Sequence, residues 1–217
     1  MGKKRLEDAI KQIDHPIEVS YRCYELDPNQ GRDVKENMHE SLAKKYGMSI
    51  EQAKANTQNV VQMAKEVGLD FQMDTLILTN TFDAHRLTMY AKTKGLVHEM
   101  TERILHAHFT ESKHIGDHET LTELAVEVGL DRAEVRHLLN SDQMADVVRA
   151  DEQIARQYQV TGVPFFLINQ KYVLTGAQPT ETFVQVLNKV IAEDQIVVLN
   201  DQDGLNCDED GCEIPKK

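Results

Sequence analysis

The order of hydrophobic and polar residues divides the chain into helical and extended stretches. Residues 3–13 carry apolar side chains every three or four positions and are predicted as a helix, which Asp14-His15-Pro16 ends. Residues 17–26 alternate between apolar and polar and are predicted as a strand. After a break at residues 27–31, helical periodicity continues to residue 154.

The C-terminal part of the chain returns to β-structure. Pro164 stands immediately before the apolar run Phe165–Ile168, and because proline has no backbone N–H it fits at or just before the first position of a strand. Gln170 and Lys171 are predicted to turn the chain into a second strand over residues 172–175. A final helix is predicted from the apolar residues Phe183, Val184, Leu187, Val190 and Ile191. Short β-elements at both ends with helices between them predict an α/β core with a large all-helical insertion.

Capping residues predict where several of the inserted helices begin and end. Ser49 with Gln52 is a capping box, and Asp131 with Glu134 gives a related signal. Glycine commonly adopts the left-handed conformation that closes a helix. Four glycines are predicted in this role: Gly47, Gly68, Gly95 and Gly129.

Composition and charge exclude several classes of protein. The chain has 217 residues, of which 41% are hydrophobic and 28% charged, as in a soluble globular protein. Its net charge of -12 argues against a nucleic-acid partner, which needs a concentrated basic surface. No apolar run is long enough for a membrane span, and the N-terminus lacks the apolar stretch of a signal peptide. We therefore expect no membrane association and a cytoplasmic location.

Four motifs follow one another along the chain: Asn80–Leu87, Ile115-Gly116-Asp117, Val163-Pro164 and Gly176-Ala177-Gln178-Pro179. In this order they resemble the DsbA-like family, and within it the group of FrnE and 2-hydroxychromene-2-carboxylate isomerase. The resemblance implies a thioredoxin-like core formed by residues 1–30 and 155–195, with residues 31–154 as the helical insertion and residues 196–217 as an acidic tail. It also implies a cis peptide bond before Pro164.

The sequence departs from the family at its most important motif. In the family a C-x-x-C immediately precedes the segment that resembles Gly2–Glu7, but this chain contains no C-x-x-C. Met1 stands where the motif would have just ended. The expectation is that the chain is truncated at its N-terminus, lacks the primary nucleophile and is inactive as given.

The resemblance implies that the proline loop binds substrate. In the family this loop can hydrogen-bond an extended peptide or glutathione by strand addition, so Val163, Pro164 and Phe165 are expected to bind substrate. The alternative is that Pro164 only fixes the backbone at the start of the strand.

A second group of expected site residues lies at a predicted helix start, where unsatisfied N–H groups can meet a ligand. The resemblance places Asn80, Phe82, His85 and Arg86 beside the cleft. The alternative is ordinary capping by Asn80 or Thr81, with Arg86 in solvent on the outer face of the helix.

The three cysteines have different expected roles. Cys23 lies in the alternating segment and is predicted to pack as a small hydrophobe. Cys207 and Cys212 flank four polar residues in the tail and are predicted as an auxiliary redox pair, the alternative being idle thiols in a loose terminus. No metal site is predicted, because the histidines lack a one-face spacing and a cysteine or Glu-x-x-His partner. These histidines are His106, His108, His114 and His118.

Three functions follow from the resemblance. The first is a thiol–disulfide oxidoreductase acting on a protein or small-thiol disulfide. The second is a glutathione-dependent isomerase or transferase of kappa type, in which a serine replaces the first cysteine. The third is a non-catalytic module that binds peptides. No cofactor is expected, glutathione is a candidate co-substrate, and a homodimer is left open.

Overall fold

Nine helices and four short strands form the part of the chain that the computed structural model describes, residues 1–194, 207–208 and 211–212. The helices are α1 (Gly2–Ile10), α2 (Met38–Tyr46), α3 (Ile50–Lys65), α4 (Phe82–Thr93), α5 (Val97–Phe109), α6 (His118–Glu127), α7 (Arg132–Leu139), α8 (Ala145–Gln157) and α9 (Thr180–Asp194). The strands are β1 (Phe165–Ile168), β2 (Tyr172–Thr175), β3 (Cys207–Asp208) and β4 (Gly211–Cys212).

The predicted hairpin is present, with a small shift in its turn. Strands β1 and β2 pair antiparallel. Asn169 and Gln170 both have positive φ angles, 50° and 56°, and the Lys171 N–H donates to the Ile168 carbonyl at 3.0 Å. The turn therefore begins one residue earlier than predicted, at an asparagine, which tolerates left-handed backbone better than most residues.

The prediction of a strand over residues 17–26 is wrong, although the alternation behind it is real. Cys23 and Glu25 are 2% and 4% exposed, whereas Leu26 is 62% exposed. No strand of the described residues pairs with this segment, and a strand requires a partner for its backbone groups. The Cys23 N–H instead donates to the carboxylate of Asp151 at 2.9 Å. The alternation thus reflects one-sided burial of an extended segment.

Local capping signals are confirmed. The side chains of Ser49 and Asp131 accept hydrogen bonds from the backbone three residues later, and Ser49 with Gln52 forms a complete capping box. The predicted glycine ends all have positive φ: Gly47, Gly68, Gly95 and Gly129. Helix α1 ends at Ile10, earlier than predicted, because the N–H groups of Gln12 and Ile13 bond three residues back and tighten the chain into turns.

The described residues pack around three hydrophobic clusters. One joins α1, α9 and the hairpin through Ala9, Phe183 and Leu187. The largest lies within the helical insertion, among α4 to α7. The smallest holds the segment before α2 against α4 and α8, through Cys23, Met89 and Val148. The domain boundaries given above stay a prediction.

Candidate functional site

The loop between α8 and β1 carries the predicted substrate-binding residues. The Val163–Pro164 peptide bond is cis. The Pro164 carbonyl accepts a hydrogen bond of 2.8 Å from the N–H of Gly176, whose φ of +74° suits glycine. The loop is therefore tied to the residue that follows β2.

The start of helix α1 lies directly on this loop. A Cβ atom added to Gly2 would lie 2.6 Å from Cγ of Pro164 and 3.2 Å from Cζ of Phe166, so no side chain fits there. Arg5, one turn further along α1, donates a hydrogen bond to the Ala177 carbonyl. The helix N-terminus, where backbone N–H groups are unsatisfied, is thus held beside Pro164.

A cavity of about 280 Å³ opens at the loop. It is lined by Gln159, Thr161, Gly162, Val163, Pro164, Phe165, Thr175 and Gly176. Val163 is 49% exposed, and no hydrogen bond between described residues uses its N–H or its carbonyl. This backbone can accept an extended ligand by strand addition.

Asn80 performs the capping role that was the alternative to ligand binding. Its Oδ1 atom accepts a hydrogen bond of 2.8 Å from the Phe82 N–H, while Thr81 makes no side-chain cap. Its Nδ2 atom donates to the carboxylate of buried Glu25 at 3.2 Å. Both ends of the Asn80 amide are therefore engaged by the protein.

Phe82 and His85 face the extended segment and α8. The guanidinium carbon of Arg149 lies 4.1 Å from the centre of the Phe82 ring, a cation–π contact. Burial lowers the pKa of His85, which also hydrogen-bonds the backbone of Tyr24. The Tyr24 hydroxyl donates to the carbonyl of Val160 at 3.2 Å, and Val160 lies between two residues that line the Pro164 cavity. Tyr24 thus connects this group to the proline loop.

The alternative role of Arg86, in solvent on the outer face of the helix, does not fit the structure. The residue is 4% exposed, so its side chain does not lie in solvent. Its guanidinium pairs with Asp83 at 2.7 Å and donates to three backbone carbonyls, those of Leu138, Ser141 and Gln143. Leu138 belongs to the last turn of α7 and the other two residues follow the helix, in a region where backbone carbonyls lack helical partners. Arg86 therefore caps the carbonyls at this helix end, and its expected substrate-binding role stays a prediction.

The described cysteine side chain is not a nucleophile. Burial above all, and then the charges of Asp151 and Glu152, raise the pKa of Cys23 to about 12. The thiolate needed for exchange is therefore absent near neutral pH. Cys207 and Cys212 are opposite each other in the β3–β4 backbone pairing, but their side chains lie outside the described residues. Their redox pairing stays a prediction.

Sequence reasoning missed a cluster of buried charges beside Phe82. Glu25 and Glu152 are 4% and 7% exposed, and Arg149 donates to both carboxylates. A signal was present in the sequence: Asp151 and Glu152 follow buried Val148 by three and four positions, so they occupy the inward face of α8.

The four histidines considered for a metal site have separate surroundings. His106 lies 3.1 Å from Glu111, His118 lies 2.7 Å from Asp83, and His114 contacts the Arg32 carbonyl. The His108 ring stacks edge-on against Phe109. Among the residues described, no group of three or more His, Cys, Asp or Glu side chains could hold a metal ion.

The sequence profile of the DSBA-like thioredoxin domain matches residues 1–188. The chain belongs to this family. It is similar to a probable DsbA oxidoreductase from Streptomyces coelicolor, with 38% identity and a TM-score of 0.86 over 99% of this chain and 93% of that one. The fold is therefore a DsbA-like thioredoxin fold with a helical insertion, as the resemblance implied.

Two further proteins are similar to the chain. The uncharacterised protein YwbO from Bacillus subtilis is 29% identical over 197 residues, which cover 90% of each sequence. The cytosolic disulfide reductase DsbM from Pseudomonas aeruginosa, solved with GSH, shares the fold, with 16% identity and a TM-score of 0.58 over 88% of this chain and 92% of that one. Separately, none of the described helices is both long and apolar enough to cross a membrane.

Proposed function

We propose that this family member takes part in thiol–disulfide exchange, with the Val163-Pro164 loop as the edge that binds an extended peptide disulfide or glutathione. The observation that supports it most directly is the contact between Gly2 and Pro164. In the family the reactive thiolate sits at the start of this helix, where the helix dipole lowers its pKa.

The chemistry separates into two parts in this chain. The proline loop supplies the binding edge, because the backbone groups of Val163 are open and Pro164 is fixed between Gly2 and Gly176. The primary thiol is absent, because the sequence has no C-x-x-C and Cys23 is buried with a raised pKa. We therefore expect these 217 residues to bind substrate without reducing it.

An insulin reduction assay with a small-thiol reductant tests the catalytic part. The chain as given is expected to be close to inactive. A variant extended at its N-terminus by a strand-forming segment that ends in C-x-x-C immediately before Gly2 is expected to gain activity, and the same extension ending in S-x-x-S is the matched control. Reduction by the unextended chain at the rate of the C-x-x-C variant would contradict the assignment of the missing nucleophile.

A titration with oxidised glutathione, followed by amide NMR, tests the binding part. Shifts are expected at the N–H groups of Gly162, Val163 and Gly176, which border the cavity. Gln58 and Gln72, which line a separate cavity beside α3, serve as the internal control. If glutathione shifts only the control amides, or none at all, the loop is not its binding edge.

The glutathione-dependent isomerase and the non-catalytic binding module remain the alternatives. The isomerase would require a serine in place of the first cysteine before Gly2. A binding module would show the glutathione shifts, yet the C-x-x-C extension would restore no reductase activity. A cytoplasmic location, like that of DsbM, is part of the proposal.

A further inference from the structure

Two buried carboxylates share one arginine where the extended segment meets α8. Glu25 belongs to the segment and Glu152 to the helix, and they are 4% and 7% exposed. A single nitrogen of Arg149, Nη1, donates to Glu25 at 2.6 Å and to Glu152 at 2.7 Å. One positive charge therefore faces two groups that would both be negative if ionised.

The hydrogen bonding of the two carboxyl groups is incomplete without an additional proton. The Oε1 atom of Glu152 is fully buried and receives no hydrogen bond from any described residue. The two carboxyl groups are neighbours, because the Oε2 atoms of Glu25 and Glu152 accept from the same Arg149 nitrogen. Two neighbouring carboxylates repel each other in a buried site, whereas a proton between them turns the repulsion into a hydrogen bond.

We propose that Glu25 and Glu152 hold one proton between them near neutral pH, and that this one-proton site fastens the extended segment to α8. The inference does not depend on the proposed function. It concerns a contact between the extended segment and α8 whose stability depends on protonation. This contact lies next to Tyr24, which hydrogen-bonds the proline loop at Val160.

The direction of the electrostatic effects agrees with this assignment. Burial, and then the hydrogen bond with Glu152, raise the pKa of Glu25 above its ordinary value of 4.5. Burial also acts to raise the pKa of Glu152, but the hydrogen bonds from Arg149 and Glu25 outweigh it and lower that pKa. The proton thus belongs mainly to Glu25, and Glu152 is the ionised partner of Arg149.

The surroundings contain no second cation in contact with the pair among the described residues. Asn80, before α4, donates to Glu25. His85 on α4 is near Glu152 and Asp151, but burial lowers its pKa and favours the neutral ring. From the segment itself, Cys23 keeps its thiol protonated and Arg22 pairs with Asp151. None of these groups replaces the proton.

The proposal predicts a distinctive dependence of folding on pH. Glu25 retains in the folded protein a proton that the unfolded chain releases above about pH 4.5, so the folding equilibrium constant falls about tenfold per pH unit until the folded pKa is passed. Glu25→Gln keeps the shape and supplies a permanent donor. The ratio of the folding constants, Glu25→Gln over wild type, is therefore expected to rise with pH from about pH 5 upward, at least tenfold in total.

Urea unfolding from pH 5 to 8 measures this ratio, with Asp151→Asn as the matched control. Asp151 is also a buried acid of α8, but it faces Arg22 and the Cys23 N–H. Its variant is expected to be less stable, because Arg22 and the Cys23 N–H lose their carboxylate acceptor. A flat ratio for Glu25→Gln would overturn the proposal.

Infrared difference spectra provide a second measurement that needs only folded protein. Wild type near neutral pH is expected to show the carbonyl band of a protonated carboxylic acid, which ionised carboxylates lack. Glu25→Gln and Glu152→Gln are each expected to lose it, because each removes one partner of the shared proton. If wild type lacks the band, the site holds no proton and the inference fails even if a variant does not fold.

Discussion

Gly2 and Pro164 are in direct contact, and the contact leaves no room for a Cβ atom on Gly2, which would lie 2.6 Å from Cγ of Pro164. The two residues are far apart in sequence, yet each limits the position of the other. A proline ring is rigid, so the helix start would have to move if a side chain were added.

Gly2→Ala is therefore expected to destabilise the protein by about 1–3 kcal/mol, as overpacking of a tight contact does. In an open helical position the same change would be stabilising, because alanine has the higher helix propensity. Urea unfolding measures the difference. Gly31→Ala is the control, since a Cβ there would meet no atom of the described residues within 4 Å. An equal change in unfolding free energy for the two variants would contradict a tight contact between Gly2 and Pro164.

Removing the guanidinium of Arg86 should show how much its buried hydrogen bonds contribute to the free energy of unfolding. Arg86→Met leaves the carbonyls of Ser141 and Gln143 without a donor among the described residues and removes one of the donors to Leu138, so a loss of about 3 kcal/mol of unfolding free energy is expected. Arg132→Ala, which removes an exposed ion pair with Glu123, should cost less than about 1 kcal/mol. If Arg86→Met keeps its stability and loses glutathione binding, Arg86 is a ligand-binding residue after all.

His108 should make the protein sensitive to mild acid. Burial lowers its pKa from 6.5 to about 4, and its Nδ1 atom has no hydrogen-bond partner among the described residues. The unfolded chain binds a proton first as pH falls below 6.5, so stability is lost from there toward about pH 4. His108→Phe should reduce this loss, measured by urea unfolding across that range. The same change at His137, which is exposed, is the matched control.

The tail cysteines are expected to form an intramolecular disulfide under mild oxidation, since Cys207 and Cys212 are opposite each other in the backbone pairing. Acidic neighbours in the sequence disfavour the thiolate, so alkylation should be slow near neutral pH. Serine at either position should change stability by less than about 0.5 kcal/mol, because the loop closed is short. Differential alkylation followed by mass spectrometry shows whether Cys207 and Cys212 form the disulfide. Thiols that stay reduced and react as fast as a free peptide thiol would contradict the pairing.

The parts of the fold that depend on local chemistry could be predicted from the sequence. The caps at Ser49 and Asp131 bond to residues three positions away, so a short window contains both partners. The segment around Cys23 could not be assigned in this way. Its alternation reports which side chains are buried, but a strand also depends on a pairing partner elsewhere in the chain.

The difference between local and long-range partners also explains which site residues could be predicted from the sequence. The proline loop was predicted from a contiguous motif, and the structure adds its contact with Gly2. The role of Arg86 was missed because its carbonyl partners lie 52 to 57 positions further along the chain. Glu25 was missed for a similar reason: its cation is Arg149, 124 positions away. No local pattern identifies such a partner.

Arg149 helps to set the register of the extended segment through its ion pair with Glu25. In a sheet, a ladder of backbone hydrogen bonds and alternating side chains would set the alignment of this segment. Here charged side chains of α8 contribute to the alignment, since Glu25 pairs with Arg149 and the Cys23 N–H donates to Asp151. A shift by one residue would bring Tyr24 or Leu26 to that place and leave Glu25 outside. An inserted residue between Cys23 and Glu25 would therefore be far more damaging than one after Leu26, where the chain is exposed.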